Sequence, residues 1–125
     1  MELMPDYLAE KLESCPFGTY EGLEMDAPCA VKYFNPVGKG TWFITEGEKQ
    51  EDGDWLLYGY GIIDFAEWGY VLLSELQEVK LPLGLSIERD ILAQGTVREL
   101  YGKLCRDSGE SFEQPSLDLD DEEER

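Results

Sequence analysis

Leu8 and Leu12 recur at helical spacing in the first stretch of the chain, with Tyr7 and Lys11 beside them. Pro5 suits a first helical turn, where its missing N–H costs nothing. The pattern predicts a short helix over Pro5 to Glu13, ended by Cys15-Pro16-Phe17-Gly18. The period then changes. Ala30 to Phe34, Thr41 to Glu46 and Trp55 to Ile63 are rich in β-branched and aromatic residues and read as three strands. Asn35 to Gly40 forms a turn between the first two, and Gly38-Lys39-Gly40 within it lacks the length and the trailing Ser or Thr of a phosphate loop. The third strand is almost uniformly apolar, so it is expected to lie centrally with both faces covered. Its Gly59 and Gly61 face one side and could admit a bulge or a close neighbour.

Asp64 to Gly69 reads as a turn and Tyr70 to Leu73 as a fourth strand. Ser74-Glu75-Leu76-Gln77 fits a capping box with Ser74 as the cap, which opens a helix of one or two turns. Leu81 to Leu85 is a loop whose apolar lining is expected to pack down, and Ile87 to Asp90 reads as a short edge strand or an extended segment. Thr96 and Glu99 make a second capping box, and Val97, Leu100, Tyr101 and Leu104 follow on one helical face, giving a helix over Thr96 to Cys105. The expected fold is α+β: a small antiparallel sheet of four to five strands, with short N- and C-terminal helices packed against one face. One domain fills residues 1–106. Residues 107–125, with six acids among the seven residues Asp118 to Glu124, form an acidic tail expected to be disordered.

Charge changes the picture most. The chain holds 28 Asp and Glu against 10 Lys and Arg, a net charge of −18, and the 19 acids and nine bases before residue 107 leave the body acidic in its own right. Such a surface repels phosphate backbones and anionic lipids, so direct nucleic-acid or membrane binding is disfavoured. Its natural complement is a basic protein, for instance a nucleic-acid-binding one; the plainer reading is that the charge maintains solubility. With 42% apolar residues the chain still carries a core. Histidine is absent, which removes His-based triads and His-ligated metals together. Three cysteines without CxxC spacing indicate neither a disulfide framework nor a zinc site. No basic start with an apolar stretch behind it marks a signal peptide, and no apolar run approaches a membrane span, so the expected location is the cytoplasm.

Few side chains offer chemistry. Glu46, Asp54, Asp64 and Glu67 stand at strand ends or in the turns that follow; gathered, they could hold Mg²⁺ or Mn²⁺ for a small hydrolase or nuclease, but dispersed they are merely solvated. Glu88-Arg89-Asp90 either binds a ligand carboxylate through Arg89 or pins its own loop by ion pairing. Most of the aromatics, Tyr33, Phe43, Tyr58, Tyr60 and Tyr70 among them, are expected in the core, with Trp42 and Trp68 as exposed anchors beside turns. No thiol or hydroxyl has a base placed to activate it.

Ala30-Val31-Lys32-Tyr33-Phe34-Asn35-Pro36, followed by Thr41 to Gly47, Glu67 to Leu76 and Leu83 to Asp90, keeps the motif order of the DUF2958 family of bacterial proteins, which the chain resembles over about residues 1 to 100. The C-terminal helix and the tail fall past that stretch. The resemblance implies an accessory protein of bacterial mobile elements and no settled activity; an inhibitor of host defence is an analogy from that setting. The function expected is a non-enzymatic acidic binding protein, in its sharpest form a mimic of the DNA phosphate array that occupies a basic groove, with no cofactor and no metal. The alternative is the carboxylate-metal hydrolase.

Overall fold

The computed structural model describes residues 1–108, so the acidic tail lies outside the described residues except for its first two. The elements run α1 (Asp6–Glu13), β1 (Val31–Phe34), β2 (Thr41–Lys49), β3 (Trp55–Ile62), β4 (Ala66–Leu72), α2 (Leu73–Gln77), β5 (Glu88–Arg89) and α3 (Val97–Asp107), with single 3-10 turns at Glu24–Asp26 and Pro82–Gly84. The strands form one antiparallel sheet in the order β4-β3-β2-β1-β5. The fold is therefore α+β, as the strand and helix signals predict. No helix among the described residues is long and apolar enough to cross a membrane.

The helices do not share one face, as expected from the sequence, but divide between two. Tyr33, Ile44, Trp55 and Leu57 point to a first face and pack with Leu8 and Leu12 of α1 and Leu73 and Leu76 of α2. Phe43 and Tyr60 point to a second face and pack with Val97, Leu100, Tyr101 and Cys105 of α3. This explains the uniformly apolar run of β3: both of its sides are buried over part of its length. Burying a large apolar side chain contributes about 1.5–3 kcal/mol, and Leu12, Tyr33, Phe43, Leu57 and Val97 are each fully enclosed.

Local signals set most boundaries. Asn35 closes the β1–β2 hairpin by accepting from the Val37 N–H and donating to the Lys39 carbonyl. Thr96 accepts from the Glu99 N–H while Glu99 reaches back to the Thr96 N–H, so the predicted capping box holds, and α3 runs on to Asp107 with a Lys103–Asp107 ion pair at 2.9 Å. Three expectations fail. The segment read as a turn over 64–69 is strand from Ala66, held by the pairs Ala66–Ile62, Glu67–Gly61, Trp68–Tyr60 and Gly69–Gly59. Ser74 is not the cap of α2; Glu75 bonds the Leu72 N–H instead. Leu83 does not pack down: it is 94% exposed, with a left-handed backbone.

The register of β2 is broken at one place. Ile44 faces Gly59, the next pair is Glu46 with Tyr58, and Thr45 is the extra residue of a bulge. There β2 comes so near β3 that a Cβ on Gly59 would sit 2.1 Å from the Phe43 carbonyl oxygen and 2.8 Å from the Ile44 Cα. Both obstacles are backbone, so only glycine fits. Gly69, the cross-strand partner of Gly59, has open space at its Cβ position. We predict that Gly59→Ala destabilises the fold by about 3 kcal/mol through overpacking, whereas Gly69→Ala changes stability by less than about 1 kcal/mol. Urea denaturation of the two variants checks this contrast, and equal midpoints would refute it.

Candidate functional site

The bulge decides where Glu46 points. Unbroken alternation from Ile44 would send Glu46 to the first face, among leucines. The extra residue turns it to the second face, opposite Tyr58. There its side chain is 5% exposed and accepts hydrogen bonds from the Gly18 N–H at 3.1 Å and the Tyr20 N–H at 2.8 Å. Glu48, two residues on, accepts from the Phe17 N–H at 3.1 Å, and the Gly47 N–H donates to the Cys15 carbonyl. Because β1 pairs only with residues 41–44 of β2, the remainder of β2 is open on that side, and the chain after α1 uses the opening to cross from the first face to the second.

The captured segment walls a cleft of about 410 Å³ on the second face. Its floor and opposite wall are aromatic. Tyr58 and Trp68 stack at 5.7 Å with 21° between their planes, Tyr58 and Tyr70 lie 4.9 Å apart, and Phe17 meets Tyr70 edge to face at 5.3 Å. The series continues under α3 through Trp68–Tyr60 and Tyr60–Tyr101. Half of the ladder is core, and the other half lines a cavity. Tyr70 is 62% exposed at the mouth. Glu21, Glu24 and Glu46 add carboxylates to the lining, and no lysine or arginine joins them among the described residues. The Tyr58 hydroxyl is pushed above its ordinary pKa first by burial, then by Tyr70, Glu46 and Glu24. Aromatic faces backed by carboxylates attract a cation.

On the first face a groove of about 460 Å³ is lined in part by Gly59, Gly61 and Gly69, and of these Gly69 has open space where a side chain would stand. Trp42 lies across Gly61, with its ring 3.3 Å from where a Cβ would be. Asp64, Glu67 and Glu75 add acids to this groove, and Asp64 also stands 3.9 Å from Lys39 across open solvent.

The nine residues singled out from the sequence thus separate. Glu46 and Trp68 meet in the second-face cleft; Trp42, Asp64 and Glu67 meet in the first-face groove. Glu46 is not the exposed carboxylate expected of a docking surface, because its oxygens are engaged by loop amides. Trp42 and Trp68 are half-buried rather than exposed, each with one side packed against a core cluster. Asp54 belongs to neither site. Its carboxylate accepts from the Ser74 hydroxyl at 2.6 Å and the Ser74 N–H at 3.1 Å, and so caps α2 from twenty residues away. Arg89 donates to the Glu2 carbonyl and to the Tyr7 hydroxyl at 2.6 Å, pinning the N-terminal segment. Asp90 pairs with Lys32 at 3.4 Å, and Glu88 extends β5 against Phe34. Among the described residues no three Cys, Asp or Glu side chains gather to hold a metal ion, and Glu46 and Glu67 lie on opposite faces. The Cys29 thiol, pushed up to about 12 by burial, is no nucleophile. Sequence reading did not find Phe17, Tyr20, Glu21 or Glu24, which look like ordinary loop residues until Glu46 holds them in place.

The DUF2958 family model, described as a protein of unknown function, matches residues 3–110. The chain belongs to the DUF2958 family. The match includes α3, so this helix is part of the family domain and not an addition beyond its usual end. No curated protein and no solved structure matches this DUF2958 chain.

Asp54 generates a pH prediction. Its pKa is lowered, first by the Ser74 hydroxyl, with the Trp55 and Ser74 amides adding to this against partial burial. A depressed carboxylate stabilises the fold above its unfolded value, near pH 4, and loses that contribution as pH falls through the lower folded value. Asp54→Ala is expected to lower stability at neutral pH by about 1 kcal/mol and to flatten the acid limb of the stability curve. Urea midpoints at neutral and acid pH read both effects, and an unchanged acid limb would count against the cap.

Proposed function

We propose that this DUF2958 protein is a non-enzymatic acidic binding protein whose second-face cleft receives a lysine or arginine side chain from a basic partner. The observation that carries the reading is the pairing of Tyr58, Trp68 and Tyr70 with Glu21, Glu24 and Glu46 around one cavity. An arginine gains there from two sources. Its guanidinium plane stacks on rings, and the exposed carboxylates of Glu21 and Glu24 at the cleft attract it by charge. The net charge of −18 adds steering toward a positive surface without supplying specificity.

The partner class in best accord with this chemistry is a nucleic-acid-binding protein, whose exposed arginines and lysines otherwise meet phosphate. Both proteins would then act in the cytoplasm, and this chain would compete with nucleic acid for the partner's basic surface. The resemblance to mobile-element proteins gives such competition a setting. The mimicry is carried by a cleft that takes individual cationic side chains more than by a copied row of phosphates, since Glu46 and Asp54 are already engaged within the fold.

A direct test titrates the protein with a short arginine-rich peptide and with a glutamine-substituted control, following tryptophan fluorescence at low and high salt. Saturable binding of the arginine peptide alone, weakened by salt, is the expected result. Tyr70→Ala, at an exposed position that spares the core, should weaken it about fivefold, the usual worth of one cation–π contact. Equal binding of the control peptide would contradict the reading.

A further inference from the structure

The two edges of the sheet differ. β5, at one edge, is two residues long and is pinned by Arg89 to the N-terminal segment. β4, at the other, has seven residues and among the described residues pairs only with β3. Proteins usually blunt a free edge with lysine, proline, a bulge or a covering element. β4, with the sequence Ala-Glu-Trp-Gly-Tyr-Val-Leu, has no lysine or proline, pairs in unbroken register, and exposes Glu67, Gly69 and Tyr70.

Both clefts draw part of their lining from this strand. Trp68 and Tyr70 of β4 line the acidic aromatic cleft on the second face, while Glu67, Gly69 and Val71 line the groove on the first. Successive side chains of any strand laid beside β4 point to opposite faces. One register therefore sends a residue toward the aromatic cleft and its neighbours toward the groove. The aromatic cleft takes a cationic head. The groove offers Trp42, Phe65 and Val71 as apolar lining, with Asp64, Glu67 and Glu75 among the residues around it.

We infer that β4 is a docking edge to which an extended basic segment of a partner protein adds as a sixth strand, with its alternate side chains shared between the two clefts. Main-chain hydrogen bonds then supply affinity and the clefts supply selection. The inference rests on the cation-binding reading above and adds to it the conformation of the ligand. A second copy of this chain does not suit the edge, because two molecules of charge −18 repel and β4 itself carries only an acid.

The test uses the full chain and three short peptides: one alternating arginine and valine, one N-methylated on its arginines and one N-methylated on its valines. Methylation removes backbone donors on one side of the strand and keeps charge and side chains. The parent peptide is expected to bind and to slow hydrogen exchange of the amides over residues 66–71. One methylated form should lose about tenfold in affinity, the worth of one or two hydrogen bonds, and the other should bind as the parent does. If both methylated forms match the parent, with Tyr70→Ala still weakening all three, strand addition is overturned and cation capture stands. If no peptide binds, both readings fall. A β4-paired homodimer seen by sedimentation and by the same exchange pattern would also overturn strand addition.

Discussion

The second face of this sheet is organised by a carboxylate that one extra backbone residue brings to it. Thr45 shifts the register of β2, and Glu46 turns from the leucine-rich face to the aromatic one. There a buried carboxylate would be costly if left alone. Two main-chain amides offset the cost with charge-assisted bonds, and those amides belong to a segment that has just crossed from the other side of the sheet. The bond is reciprocal. The loop satisfies the charge, and the charge fixes the loop as a wall over Tyr58, Trp68 and Tyr70. Gly59 is what permits the arrangement, since the approach of β2 at the bulge leaves no room for a side chain on β3.

In the proposed function the same sheet serves as core and as binding surface. α3 covers the Tyr60 end of the aromatic ladder and leaves the Tyr70 end to the cleft. Continuous ring packing makes the exposed half rigid, because each ring at the mouth rests on one deeper in the fold. A ligand then meets a surface already ordered, and little conformational entropy is lost on binding. On the first face Gly69 acts in the opposite way, by leaving open the space that a side chain would fill. Both devices meet at β4, the long edge strand that has no neighbour on one side among the described residues.

Much of the fold was legible because its signals are local. Thr96 and Glu99 lie three residues apart, Asn35 closes its own hairpin, and the apolar run of β3 announces burial on both sides. What was not legible depends on residues far apart in sequence. Glu67-Trp68-Gly69 looks like a turn until Gly61, Tyr60 and Gly59 pair with it. Ser74 looks like a cap until Asp54, from the start of β3, accepts its N–H and its hydroxyl. Gly59 hinted at a bulge, but alternation alone cannot say which residue is doubled, and the facing of Glu46 follows from that choice. The candidate site was the least visible part. Its aromatic half reads as ordinary core and its acidic half as ordinary solvated charge, and only the crossing of the segment after α1 joins them.

The measurement that bears most directly on this account is amide hydrogen exchange at Gly18 and Tyr20 in Glu46→Ala beside the unaltered protein. If the carboxylate holds the loop, both amides should exchange at least about tenfold faster in the variant, as loss of a charge-assisted bond implies, while the amides of β1 and of α3 keep their protection. If Gly18 and Tyr20 remain as protected without the carboxylate as with it, Glu46 does not organise the loop, and the cleft must owe its wall to something else.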